Sequence, residues 1–106
     1  MAKYLLQGSY TVEGARGLLK DGGSKRRAAI EAMIKGLGGR LETFYFAFGD
    51  TDVYVIADVP DQVTASALAL TVGASGAASV KTTVLVTPEE VDQAVKKTVQ
   101  YRAPGK

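Results

Sequence analysis

Three side chains are missing from the 106 residues: cysteine, histidine and tryptophan. Without cysteine there is no disulfide framework, zinc–thiolate site, iron–sulfur cluster or thiol nucleophile. Without histidine the commonest general base and the commonest metal ligand are gone, and so is any His-ligated haem. No stretch approaches 18 consecutive apolar residues, so nothing reads as a membrane-spanning helix. A charge of one sign is also lacking. Thirteen Lys and Arg face eleven Asp and Glu, a net of +2, which excludes the basic field of a dedicated nucleic-acid binder. The opening residues Met1-Ala2-Lys3-Tyr4-Leu5-Leu6-Gln7-Gly8 carry one cation and too short an apolar stretch for a secretory leader. The expectation is a cytoplasmic protein with no metal, no cofactor, and no membrane or nucleic-acid partner.

What is present fits one domain: residues 1–101 as a single unit and 102–106 as a tail. Hydrophobic residues make up 46%, ordinary for a globular chain. A chain this short buries roughly 60–65% of its unfolded surface, so its core is modest and help from a partner subunit is expected.

Lys3 to Thr11 reads as a strand, with Tyr4, Leu6, Gly8 and Tyr10 on one face and Leu5, Gln7, Ser9 and Thr11 on the other. A helix weakened by Gly14 and Gly17 follows over Val12 to Lys20, and Asp21-Gly22-Gly23 breaks it. Ser24 has the right chemistry to cap a second helix, Lys25 to about Leu37, whose Ile30, Met33, Ile34 and Leu37 form an apolar stripe. Gly38-Gly39 ends it. Arg40 to Phe48 is the strongest strand signal. Phe44, Phe46 and Phe48 share one face; Leu41, Thr43, Tyr45 and Ala47 share the other. Gly49-Asp50-Thr51-Asp52 turns the chain into a strand over Val53 to Val59. A small-residue helix, Gln62 to about Val72, leads to a strand over Val80 to Thr87. Thr87 then caps a helix from Pro88 to about Tyr101, with Glu89 and Glu90 in its first turn.

This order predicts an α+β, ferredoxin-like β-α-β-β-α-β fold: a four-stranded antiparallel sheet with its main helices on one face, plus an extra C-terminal helix. The Phe44, Phe46, Phe48 face suits the helix-covered core. The opposite face, with Leu41, Thr43, Tyr45, Leu5, Gln7, Lys81, Thr83 and Leu85, is too apolar for plain solvent and too polar for a dry core. Packing against a second copy of itself around a partly polar cavity satisfies both. A monomer with a few exposed apolar residues is the alternative.

The run Phe44-Tyr45-Phe46-Ala47-Phe48-Gly49-Asp50-Thr51-Asp52-Val53 resembles the signature of the GYD-domain family. Lys3-Tyr4-Leu5, Gly22-Gly23-Ser24, Leu37-Gly38-Gly39, Asp58-Val59-Pro60-Asp61, Lys81-Thr82-Thr83 and Thr87-Pro88-Glu89-Glu90 continue the match in order along essentially the whole chain. The resemblance implies a dimeric α/β-barrel arrangement of ferredoxin-like subunits, and it names no reaction. One position departs: where the signature carries an aromatic between its Gly and Asp, this chain has Thr51, so no role of that ring carries over.

Four groups of residues are candidate sites. Asp50 and Asp52 read either as an oxygen corner or as turn formers, with Asp52 also a candidate for burial against a Lys or Arg. Ser24, Lys25, Arg26 and Arg27 open a helix after two glycines and form a candidate anion site; the plain alternative is a capped, solvated helix start. Tyr10, Tyr45, Tyr54, Arg40 and Lys81 are the polar side chains available to a ligand cavity. Without His or Cys, the candidate catalytic groups are Tyr45, Lys81 and Asp52. Lys81 serves equally as a strand-edge lysine that blocks aggregation. The small residues Ala65, Ser66, Ala67 and Ala69 suit close packing. Three functions follow as expectations: a homodimeric or higher-order module binding a small aromatic or anionic metabolite; a cofactor-independent oxygenase or isomerase; and a structural oligomer with no ligand.

Overall fold

The computed structural model describes all of residues 1–106. Its elements are β1 (Ala2–Tyr10), α1 (Val12–Asp21), α2 (Gly23–Gly36), β2 (Arg40–Phe46), β3 (Val53–Val59), α3 (Gln62–Ala74), β4 (Ala78–Leu85) and α4 (Pro88–Ala94). The four strands form one antiparallel sheet in the order β2-β3-β1-β4. The two long strand-to-strand connections each carry helix, which is the split β-α-β arrangement.

Alternation decides what each strand buries. In β1, Tyr4 and Leu6 are buried; in β3, Val53, Val55, Ala57 and Val59 are. All of these join one core cluster with Ile34 of α2 and with Ala65 and Leu68 of α3. The helices therefore cover one face of the sheet. No polar or charged side chain is buried in that core. Of the predicted core stripe of α2, Ile34 is fully buried and Ile30 and Met33 pack against the cluster, whereas Leu37 caps the end of the helix and is exposed.

Four expectations need correction. β2 has a bulge between Leu41 and Thr43. One extra residue flips the alternation, so Leu41 joins Phe44 and Phe46 on the helix-covered side and is itself buried. The strand also ends at Phe46. Phe48 takes a left-handed φ of 55°, off the sheet, and stacks on Phe46 at 5.7 Å between ring centroids. Ser24 is not a cap: α2 begins two residues before Lys25, at Gly23, with Gly22 at φ 83° in the cap position and no side-chain cap. Gly22 also closes α1, and a positive φ lets one glycine turn one helix into the next.

The fourth correction concerns the C-terminus. α4 is only seven residues, closed at its start by a Thr87–Glu90 capping box. It does not reach Tyr101. Every residue from Val86 to Arg102 is exposed, so no tertiary packing extends the helix, and a helix of one or two turns gains little from propensity alone. The radius of gyration, 16.8 Å, reflects this arm; a compact chain of this length has about 13 Å.

Gly14 shows why a helix of middling propensity carries a glycine. A Cβ there would lie 1.9 Å from the Ala77 carbonyl oxygen, whereas one at Gly17 meets nothing within 4 Å. Thr11 caps the same helix by accepting from the Gly14 N–H at 3.2 Å, and its hydroxyl donates to the Gly76 carbonyl at 2.7 Å. α1 is thus held against the turn before β4 at its first turn. Urea denaturation should show Gly14→Ala destabilised by about 2 kcal/mol or more through this clash. Gly17→Ala should instead be stabilised by about 0.5–1 kcal/mol through helix propensity. Equal effects of the two would refute the close approach.

Candidate functional site

The face of the sheet away from the helices has no protein over it. Strand registers arrange its side chains in rows. One row runs Tyr45, Tyr54, Gln7, Lys81 across β2, β3, β1 and β4; the next runs Thr43, Ile56, Leu5, Thr83; a third runs Arg40, Asp58, Lys3, Leu85. Leu5 and Ile56 are half-buried at its centre, while Tyr45 is 68% and Tyr54 37% exposed. The grid is an apolar middle flanked by phenols and a lysine on one side and by charge on the other.

The charged row is the most organised part. Asp58 accepts from Lys3 Nζ at 3.2 Å and from Arg40 Nη2 at 3.1 Å, one carboxylate oxygen to each. Lys3 also pairs with Glu42, the bulge residue. Partial burial pushes the Asp58 carboxyl up, but the hydrogen bonds from Arg40 and Lys3 outweigh it and hold the pKa below the ordinary 3.8. Hydrogen bonds from Lys3 to Glu42 and then to Asp58 hold the lysine above its usual value. Asp61, the α3 cap, is likewise lowered by the Thr64 backbone N–H, which donates to it at 2.8 Å.

The sequence-derived candidates are divided by the fold. Tyr45 and Tyr54 are direct cross-strand neighbours. Lys81 shares their row but stands on the far edge strand, three strand spacings or roughly 14 Å from Tyr45, and it forms no ion pair. Arg40 is in the charged row, committed to Asp58. Tyr10 is not with them: it lies on the helix side of β1 and lines an apolar cavity there. Asp52 accepts from the Tyr10 backbone N–H at 2.8 Å, and its own N–H donates to the Gly8 carbonyl at 2.9 Å. It is half-buried rather than buried, and its partner is an amide, not a cation. It clamps the Ala47–Asp52 loop onto the end of β1. No group of three or more carboxylates gathers to hold a metal ion.

The anion candidates also separate. Lys25 pairs with Asp21 at 3.8 Å across the junction between α1 and α2, and Arg27 pairs with Glu31 at 3.5 Å across one turn of α2. Arg26 has no ion pair and is half-buried. The ionic cluster of Lys3, Glu42 and Asp58 was not singled out from the sequence. The available signal was that Lys3 and Asp58 fall on the second faces of their strands; the register that sets them opposite each other was not readable.

A single antiparallel sheet, helices on one face and an organised, uncovered second face define the class of protein. The model of the GYD domain matches residues 4–95, and the chain belongs to that family. No curated protein and no solved structure matches it. No helix is long and apolar enough to cross a membrane.

Two outcomes follow from this geometry. Asp52→Ala should lower stability by about 1.5–3 kcal/mol, the range for a hydrogen bond to a charged group, read by thermal melting; an unchanged melt would remove the clamp. For Asp58, a pKa lowered on folding means a contribution present above about pH 4 and lost as pH falls through the folded-state value. The stability gap between the natural protein and Asp58→Asn should therefore narrow below pH 3.8. A gap that is flat from pH 7 to 2 would contradict it.

Proposed function

We propose that the protein is a homodimeric small-molecule-binding module. Two copies join through their uncovered sheet faces, and a small aromatic or anionic molecule occupies the partly polar space between them. The observation that carries this reading is the row Tyr45, Tyr54, Gln7, Lys81 beside the row Thr43, Ile56, Leu5, Thr83. Leu5 and Ile56 supply an apolar contact that solvent would not favour. The phenols offer flat apolar faces with hydroxyl donors. Lys81 supplies an unpaired cation for an anionic group. The charged row satisfies itself within one protomer, so it can meet a second copy without leaving an unpaired charge.

The C-terminal arm supports the same reading. Val91, Val95 and Val99 recur every fourth residue, and with Tyr101 they are between 45% and 76% exposed. A short capped helix followed by exposed apolar residues gains order by lying on another subunit.

Sedimentation equilibrium at tens of micromolar should give twice the chain mass of 11.1 kDa. Ile56→Lys, which sets a charge in the middle of the contact, should return the mass to one chain with the fold intact by circular dichroism. Benzoate, as an aromatic anion probe, should bind the dimer saturably, and Lys81→Ala should weaken it about tenfold. A monomeric natural protein would overturn the assembly. A dimer indifferent to benzoate and to Lys81→Ala would leave a purely structural oligomer.

A further inference from the structure

The helix side of the sheet holds a cavity of about 60 Å³ lined by fourteen residues, twelve of them hydrophobic. It exists because α2 packs over β2 while α3 packs over β4 and β3, so the two helices part above the middle of the sheet. Small residues lower its floor: Gly8 of β1 and Ala78 of β4. The space is several times the roughly 10–15 Å³ that one water requires, and its apolar walls offer water few partners.

One charged side chain lines it, Arg26. Arg26 is one turn before Ile30 on the stripe of α2 that continues through Met33 and Ile34 to the core. A core-facing position normally carries an apolar residue. The neighbouring cations on this helix, Lys25 and Arg27, have carboxylate partners within 4 Å, and Arg26 has none. Tyr10 and Arg26 also line the surface cleft just outside, of about 130 Å³, together with Glu13 and Asp21. They therefore stand at the mouth of the cavity, an arginine and a phenol where an apolar chamber meets water.

We propose that this cavity binds a short aliphatic monocarboxylate of about three to four carbons, whose tail is what a space of this volume holds. The tail lies among Leu6, Ile30, Val72 and Val80, and the carboxylate meets Arg26, whose planar donor fork matches it. This site is on the opposite face of the sheet from the contact between copies, and it does not depend on that contact: a monomer would bind the same molecule.

The test is methyl-resolved NMR of the full-length protein titrated with acetate, propionate, butyrate, 1-butanol and butylamine. Butyrate should shift the methyls of Leu6, Ile30 and Val72 saturably, and each methylene from acetate to butyrate should tighten binding by about fourfold. Arg26→Gln, on a half-exposed helix position, should weaken butyrate by about tenfold or more and leave 1-butanol unchanged. Val80→Phe, which fills the cavity from the edge strand with Arg26 intact, should abolish both. The proposal is overturned if Arg26→Gln binds butyrate as the natural protein does. It is also overturned if butylamine is preferred, drawn by Glu13 and Asp21, or if shifts are absent from these methyls or confined to Leu5 and Ile56.

Discussion

A four-stranded sheet has two faces, and α2 and α3 cover one of them. The arrangement of the other residues depends on that constraint. The covered face takes the continuous apolar positions of β1 and β3 and excludes every charged side chain from its core. The other face must be compatible with water in a lone chain, and in the proposed dimer it must also fit a second copy. Its solution is spatial separation: Leu5 and Ile56 in the middle, the Lys3–Asp58–Arg40 group along one side, and Tyr45, Tyr54 and Lys81 along the other. Edge strands remain at β2 and β4, and Lys81 on β4 is where a charge discourages uncontrolled strand addition. The same lysine is then available to a ligand, so its two readings do not compete.

The bulge in β2 connects local structure to site. Without it, Leu41 would face outward and the strand's phenylalanines would begin on the wrong side of their partners. With it, Leu41 and the pair Phe44 and Phe46, whose rings meet edge to face at 5.1 Å, all serve the core. Arg40 and Tyr45 both remain on the uncovered face. Glu42, the residue at the irregularity, is freed to reach Lys3. The Asp52 clamp performs a similar service at the other end of the hairpin, fixing the loop that begins after Phe46 and so the position of the Tyr45–Tyr54 row.

Much of this was legible in the amino-acid order because period-2 and period-3.6 patterns are strong where burial is one-sided. Tyr4, Leu6 and Gly8 in β1, the extent of β3, and Ile30, Met33 and Ile34 of the α2 stripe could be assigned that way, and so could much of the uncovered face, though not Leu41, which is in the core. The bulge was not legible, since an extra residue in one strand has no signature apart from its partner. The short α4 was not legible either: its cap is good, but length is decided by what the helix packs on, and its own protomer offers nothing. Ser24 looked like a cap because Gly22 at φ 83° can do the same work without a side chain. Arg26 was grouped with its neighbours as one basic cluster, because only the helix rotation shows that Lys25 and Arg27 point to their own carboxylates while Arg26 opens on a cavity.

The pairing of sheet faces is tested most directly by isotope-filtered NMR on a one-to-one mixture of labelled and unlabelled protein, in which only contacts between different copies give signals. Cross-peaks should link Leu5, Ile56 and Tyr54 of one copy to the same face of the other. Cross-peaks arising instead from the α2 and α3 surfaces, or none at concentrations where the protein is fully assembled, would contradict a sheet-to-sheet dimer.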